Sequence, residues 1–443
     1  MARKASLSGF PEWLPEERAI EVHCIDILRK VFLLHGFSEI ETRAVEPISQ
    51  MLQKGEIDKE IYVISRFHDE GSSKKDPLAL HFDLTVPFAR YVKDNVPFLN
   101  FPFKRFQIQK VWRGERPQDG RQREFTQVDI DIVNEETLPL ESEAELLTTI
   151  LEALKALPLP GFTVRINNRK ISEGFYRAHG IENPSKVLQL IDKLEKIGPE
   201  KVSQLLHQEG LTAKQIEAAL SLAQIRDHDT DRALSQAKSL MADASDSDLF
   251  DQGYQELQQL LSMIDTEHID IDFSIARGLD YYTGTVYETE LTGHEDLGSI
   301  CSGGRYDSLV HLGKKSYPGV GISIGLSRLL SRLIGNELIT MNRKHPAVVY
   351  IALNNDQERR QVAEVAQKLR SRGIPVEQSL KAAKFGKQIK NADKLAIPYV
   401  WFIQEDGSHQ IKDIRTGKQF EVDAATWTPA TEELTPSLIT HFN

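Results

Sequence analysis

Between Phe103 and Val133 the chain reads FKRFQIQKVWRGERPQDGRQREFTQVDIDIV, and both ends of this stretch alternate with a period of two. That period belongs to strands, whose successive side chains point to opposite faces, so the stretch predicts an antiparallel pair. In the second strand Thr126, Val128, Ile130 and Ile132 share a mostly apolar face, while Phe125, Gln127, Asp129 and Asp131 share the other. The first strand ends in Arg113, with Gln107 and Gln109 on its own face. Pairing the two sets a guanidinium beside an amide and two carboxylates. The connection from Gly114 to Arg123 exceeds the roughly two to five residues that a structural hairpin needs. It carries Arg116, Arg121 and Arg123, with Gly114, Pro117 and Gly120 to shape the backbone. Planar guanidinium forks grip two oxygens at once, which suits phosphate. The competing reading is an exposed hairpin with solvated charges.

Composition narrows the class. A chain of 443 residues has room for roughly two to four domains with substantial cores. A net charge of −11 does not draw nucleic acid to the whole molecule, so any such binding rests on local patches. Cys24 and Cys301 lack the paired spacing of a zinc site and the framework of a disulfide-stapled secreted domain. The opening MARKASLSGFPEWLPEER has no apolar core of signal-peptide length, and no run approaches about 18 apolar residues. A reducing cytoplasm, away from membranes, is the expected setting.

Taken in order, Ile20, Cys24, Ile27, Val31 and Leu34 recur at helical spacing and predict a helix over Pro15 to His35. Strands are expected near Ile61 to Ser65 and Leu78 to Phe82, separated by a polar tip. Phe82-Asp83-Leu84-Thr85-Val86-Pro87 then opens a helix, with Thr85 as N-cap. Asp83 either supports that helix start or faces a ligand. After a helix over Glu141 to Leu157 and a strand over Phe162 to Ile166, the pattern from Arg169 to Met263 is helical and reads as an insertion. Strand character resumes at Ile269 to Ala276. It leads into ARGLDYYTGTVYETEL, with Arg277 and the pair Tyr281 and Tyr282, and then SGGRYD and PGVGISIGLSRLL, which bears Arg328. Gly335 to Pro346 reads as a linker. Beyond it strands and helices alternate, predicting a compact α/β domain. Lys381, Lys384, Lys387, Lys390 and Lys394 spiral along one side of a helix, as a solvated face or a phosphate-binding patch.

The polar residues carry two signs. Asp83, Gln127 and Asp131 suit a cationic organic substrate, and Arg113, Arg121, Arg277 and Arg328 suit a polyphosphate. Neither GxxxxGK[ST] nor GxGxxG occurs, so a nucleotide would be held by arginines rather than a glycine cradle. A cation that carries a carboxylate, next to a triphosphate, implies adenylation with loss of pyrophosphate.

These stretches resemble the histidyl-tRNA synthetases, a class II aminoacyl-tRNA synthetase family, over almost the whole chain. WRGERPQDGRQREFTQ resembles motif 2, RGLDYYTGTVYE and SGGRYD the two histidine signatures, GVGISIGLSRLL motif 3, and FDLTVPFARY the amino-acid-binding segment. The resemblance implies an α+β catalytic domain with a central antiparallel sheet of about six or seven strands. It also implies a helical insertion that leans on tRNA, a C-terminal α/β anticodon-binding domain of the class IIa type, and a homodimer joined near Gly36 to Pro47. The corresponding boundaries are 1–168 and 264–334 for the catalytic domain, 169–263 for the insertion, 335–346 for a linker and 347–443 for the anticodon-binding domain. By position, Asp83, Leu84, Thr85 and Gln127 would line the amino group of L-histidine, and Asp131, Tyr281 and Tyr282 would read its imidazole. Arg113 would bridge carboxylate and α-phosphate, Arg121 and Arg328 would hold the outer phosphates of ATP, and Glu115 would contact adenine or ribose. Arg277 would contact histidine and act on the α-phosphate in the transition state, Mg²⁺ would accompany ATP, and no protein metal ligand is assigned. Arg116 and Gln118 would touch the acceptor end of tRNA(His).

Four positions depart from the family pattern: Asp83 and Asp131 stand where glutamate is frequent, Ser327 where many members carry an acid before the motif 3 arginine, and Arg43 where proline is common. Two rival readings are a non-catalytic paralogue, such as the regulatory subunit of ATP phosphoribosyltransferase, and a tRNA-sensing module.

Overall fold

The computed structural model describes residues 7–52, 58–67, 77–118, 120–242, 244–276, 278 and 281–442. Arg277 and most of the polar tip expected before Leu78 lie outside them. The chain divides into two units, Cys24–Arg332 forming most of the first and Leu333 onward most of the second.

The first helix, α1, spans Pro15–Leu34. Its buried stripe is Ile20, Cys24, Leu28 and Phe32 at a constant step of four, while Leu34, expected on that stripe, is exposed. There follow β1 (Ser38–Glu39), α2 (Thr85–Asn95), β2 (Phe103–Trp112), β3 (Glu124–Val133), α3 (Leu140–Ala156), β4 (Phe162–Asn168) and α4 (Arg169–Ala178). Next come β5 (Arg226–Asp227), α5 (Asp248–Ser262), β6 (Ile269–Asp272), β7 (Thr285–Leu291), β8 (Cys301–Tyr306), β9 (Gly319–Ile324) and α6 (Leu326–Gly335).

The main sheet has nine strands in the order β1-β2-β3-β9-β8-β7-β4-β6-β5. From β2 to β4 every neighbouring pair is antiparallel. The sheet is wider than the six or seven strands expected because β1 adds to β2 in parallel, and β6, also parallel, joins β4 and carries β5. Two-residue strands such as β1 and β5 are too short to show a period of two.

Register decides what each face carries. Arg105 pairs with Asp131, Gln107 with Asp129 and Gln109 with Gln127. Across the next ladder Asp131 faces Gly321 and Asp129 faces Ser323. One face of the sheet centre is therefore polar. The other carries Val128, Ile130, Ile132, Val320, Ile322 and Ile324, all buried, and α3 packs on β3 and β9 with a stripe of Leu146, Leu147, Ile150 and Leu154. Each such side chain contributes about 1.5–3 kcal/mol on burial, and a one-residue slip would turn the whole set to the wrong face.

Residues 169–263 are largely helical. The helices at the two ends, α4 and α5, cross closely: a Cβ on Gly174 would lie 2.4 Å from the Phe250 amide nitrogen, and one on Gly253 2.7 Å from that of Ile171.

Three local expectations change. Thr85 is the first residue of α2 rather than its N-cap; the Val86 N–H donates instead to the Asp83 carboxylate at 3.1 Å. Residues 335–346, read as a linker, hold a strand, Ile339–Met341, paired with Leu438–Thr440. There the buried Arg343 donates to the carbonyls of His345 and Glu433. Lys381 and Lys384 precede the helix Phe385–Lys394 rather than belonging to it.

The second unit is built on a five-stranded sheet. Val376–Gln378, Val349–Ile351 and Tyr399–Ile403 run parallel, and His409–Asp413 and Gln419–Glu421 continue it antiparallel. Parallel neighbours need crossovers, which the helices Arg359–Ser371 and Phe385–Lys394 supply. The five lysines from Lys381 to Lys394 are all exposed.

Candidate active site

Arg113 follows directly on the last residue of β2. Its Nε donates to the Phe82 carbonyl at 3.2 Å and a terminal nitrogen donates to Gln127 Oε1 at 3.4 Å. The guanidinium also stands 4.5 Å from the Phe82 ring centroid and 5.1 Å from that of Phe125. Two aromatic faces and two acceptors fix the plane of the fork before any ligand arrives.

Gln127 passes the connection inward, its Nε2 donating to Asp129 Oδ1 at 2.8 Å. Two positions further along β3, Asp131 accepts from the Tyr306 hydroxyl at 2.8 Å and forms an ion pair with Arg105 at 2.6 Å. Opposite it a Cβ on Gly321 would fall 2.0 Å from Asp131 Oδ1, so only glycine leaves the carboxylate this space. The rings of Tyr281 and Tyr282 lie 4.2 Å apart. Gly278 has φ +67° and no room for a Cβ against the Tyr282 ring, which forces both the residue type and the turn.

Burial raises the Asp129 carboxyl above its ordinary range, against the opposing pull of Arg105 and of hydrogen bonds from Ser323 and Gln127; nearby Asp83 adds to the rise. Desolvation, followed by the charges of neighbouring groups that include Asp131, raises the Tyr282 and Tyr306 hydroxyls well above theirs. Both stay protonated at neutral pH and able to donate. Asp129 thus feels the charge of Asp83, and Tyr282 those of Asp131 and Asp129.

Beside this acidic floor lies a cleft of about 320 Å³, lined among others by Arg113, Glu115, Arg121, Phe125, Gln127 and Arg328. Arg328 donates to the carbonyls of Ser299, at 3.0 Å, and Leu297. Arg121 forms an ion pair with Glu115 at 3.2 Å. Gly120, with φ +68°, brings the loop against Leu297 and Arg328, where a Cβ would be 2.7 Å from Leu297 Cδ1. Cys301 also lines the cleft, as a neutral thiol whose pKa burial pushes up to about 12. Gln127 and Ser323 border the cleft and bond Asp129, so the floor and the cleft meet at these two residues, with Arg113 beside Gln127.

Arg113, Glu115, Arg121, Gln127 and Arg328 therefore line one cleft, while Asp83, Asp131, Tyr281 and Tyr282 gather at its acidic end. Arg116 and Gln118 are exposed on the connecting loop. Leu84 has no exposed surface, so its side chain belongs to the core rather than to a pocket wall. Arg277 lies outside the described residues. Ser327 takes a backbone role, its hydroxyl accepting the Thr126 N–H at 2.8 Å. Arg305 of SGGRYD lies on the opposite face of the sheet, 2.9 Å from Glu143 of α3. Sequence reasoning passed over Arg105, Asp129, Tyr306 and Ser323 as site residues. The signal for Arg105 was present, since it shares the strand parity of Gln107, Gln109 and Arg113.

Residues 9–329 match the family model described as histidyl-tRNA synthetase, and residues 347–428 match an anticodon binding domain. The chain is 50% identical to the histidine–tRNA ligase of Micrococcus luteus over 457 aligned positions, covering 99% of each chain. It is 49% identical to that of Cutibacterium acnes, again with 99% of each covered. The crystal structure of histidyl-tRNA synthetase from Nostoc sp. superposes with a TM-score of 0.84 at 36% identity, covering 96% of this chain and 98% of that one. An ATP phosphoribosyltransferase regulatory subunit/histidyl-tRNA synthetase from Bacillus halodurans shares the fold, with a TM-score of 0.71 at 19% identity, over 88% of this chain and 97% of that one.

Proposed function

The chain belongs to the histidyl-tRNA synthetase family, and from that membership we propose how its residues divide the work of charging tRNA with histidine. The enzyme is a ligase: it activates L-histidine with ATP to histidyl-adenylate and pyrophosphate, then transfers histidine to the 3′ end of its tRNA.

The acidic floor holds the amino acid. Asp83, Thr85 and Gln127 take the ammonium group, and Asp131 with Tyr281 and Tyr282 takes the imidazole. Arg113, already held in plane between two rings, receives the substrate carboxylate on one side and the α-phosphate on the other. A carboxylate oxygen attacks the α-phosphorus, the bond to the bridging oxygen breaks, and pyrophosphate departs with the electron pair. Arg121 and Arg328 hold the outer phosphates, Glu115 contacts adenine or ribose, and Arg277 acts on the α-phosphate as charge develops there. Glu115 is the one carboxylate among the described cleft-lining residues, so Mg²⁺ enters bound to ATP as part of the substrate. The 3′-terminal hydroxyl of tRNA then attacks the activated carbonyl and AMP leaves.

The observation that carries this reading is the meeting of an acid and amide floor with an arginine-lined cleft at a single pre-oriented guanidinium. Exposed Arg116 and Gln118 suit the acceptor end of tRNA(His), and the exposed lysines around Phe385–Lys394 suit its anticodon arm. Exposed Leu33 and Leu34, directly ahead of Gly36, support a homodimer joined through the segment from Gly36 to Pro47. The cytoplasm is the compartment where tRNA, ATP and reduced cysteines coincide; no helix among the described residues is long and apolar enough to cross a membrane.

ATP–pyrophosphate exchange measured with each of the twenty amino acids tests the assignment. Exchange is expected with L-histidine and Mg²⁺ alone, and exchange driven by another amino acid, or by none, would overturn it.

A further inference from the structure

Arg105 has no solvent-exposed surface and sits beneath the acidic end of the site. Its guanidinium is 2.6 Å from Asp131 Oδ2, 3.9 Å from Asp129 Oδ2 and 3.5 Å from Gln107 Oε1. The Phe88 ring of α2 closes its other side at 4.0 Å. A buried cation costs several kcal/mol in lost hydration unless fixed partners return it, so a guanidinium here needs both carboxylates. The dependence is mutual. Asp131 and Asp129 stand two residues apart on one strand face, and without Arg105 two buried carboxylates would face each other with no cation between them.

We propose that Arg105 is a positioning residue for histidine selection. It holds the Asp131 carboxylate in one orientation, with the Tyr306 hydroxyl on the other oxygen, so that the carboxylate meets the imidazole N–H. The proposal rests on the reading that Asp131 meets the imidazole. It adds that the acceptor is built from three residues on three strands, β2, β3 and β8, rather than from one carboxylate. Gly321 completes it by leaving the room that the Asp131 carboxylate itself occupies. Arg105 itself touches no substrate, and its effect on histidine selection passes through the carboxylates it holds, chiefly Asp131.

A double-mutant cycle in the exchange assay tests this, with Arg105→Met, Arg105→Lys, Asp131→Asn and the Arg105→Met/Asp131→Asn pair. Arg105→Met is expected to raise KM for histidine by about ten-fold or more, as removal of one partner of a buried ion pair does, with KM for ATP within about two-fold. Arg105→Lys should recover most of the loss, and the double variant should be no worse than Asp131→Asn alone. KM for histidine and KM for ATP rising together, or Arg105→Met adding its full effect on top of Asp131→Asn, would overturn the positioning role. If Arg105→Met does not fold, Arg105→Lys and the Arg105→Lys/Asp131→Asn pair decide the matter by the same comparison with Asp131→Asn. Should Asp131→Asn leave histidine KM unchanged, the imidazole assignment fails first, separately from the role of Arg105.

Discussion

The Ser327 hydroxyl accepts the Thr126 N–H just beyond the last ladder pair of β9 with β3, Ile324 with Val128. In the family pattern that position carries an acid, yet here a small hydroxyl closes the end of a strand. Ser327→Ala leaves a buried amide unsatisfied and should cost about 1–3 kcal/mol in urea unfolding, with KM for ATP unchanged. A neutral effect on stability together with a raised KM for ATP would return Ser327 to the nucleotide site. Arg277 is assigned both to histidine and to the transition state, with the larger effect expected on the transition state. Arg277→Ala should slow adenylation by about 3 kcal/mol or more while histidine KM stays near its parental value, and normal turnover would remove it from the chemistry.

Among the elements, the hairpin of β2 and β3 does most to build the site, and its loop carries the next prediction. Arg116 and Gln118 point outward at a turn where Gln118 and Arg121 exchange backbone hydrogen bonds at 3.1 and 2.9 Å. Arg116→Ala and Gln118→Ala should lower aminoacylation of tRNA(His) by roughly three- to ten-fold while exchange is unaffected, as expected for lost contacts worth about 1 kcal/mol. Unchanged aminoacylation in both would take the loop off the tRNA. This hairpin was legible in the sequence because a ten-residue strand shows its period plainly, and the alternation alone set Gln127 and Asp131 on one face. The same parity marked Arg105, but its meaning came only with register: nothing local says that an arginine between Lys104 and Phe106 is sealed under Phe88. Arg305 shows the reverse failure. It lies in SGGRYD, one of the two histidine signatures, yet strand alternation sends its side chain to the helix side, to Glu143. The N-cap of α2 is Leu84, one residue before the expected Thr85, because the Asp83 carboxylate takes the Val86 N–H and both Asp83 and Thr85 are good capping types that only backbone geometry separates.

For the whole molecule, selectivity follows from a polar pocket. A site that hydrogen-bonds a polar group of its substrate rejects analogues lacking it by roughly 10⁴–10⁵, which leaves little for a hydrolytic editing site to correct. Histidyl-tRNA incubated with the full-length enzyme, without AMP and pyrophosphate, should therefore lose histidine no faster than in buffer. Enzyme-dependent release would assign an editing role, with the 169–263 block as its first candidate. The rival reading as a non-catalytic paralogue is answered by the family assignment and by the match of residues 347–428 to an anticodon binding domain. The account finally depends on one cavity serving both substrates. A crystal structure with histidinol and ATP bound measures this directly. The imidazole is expected against Asp131 and Tyr282, and the α-phosphate within hydrogen-bonding reach of Arg113, in a single continuous site; the two ligands in separate cavities, or Arg113 turned away from both, would contradict it.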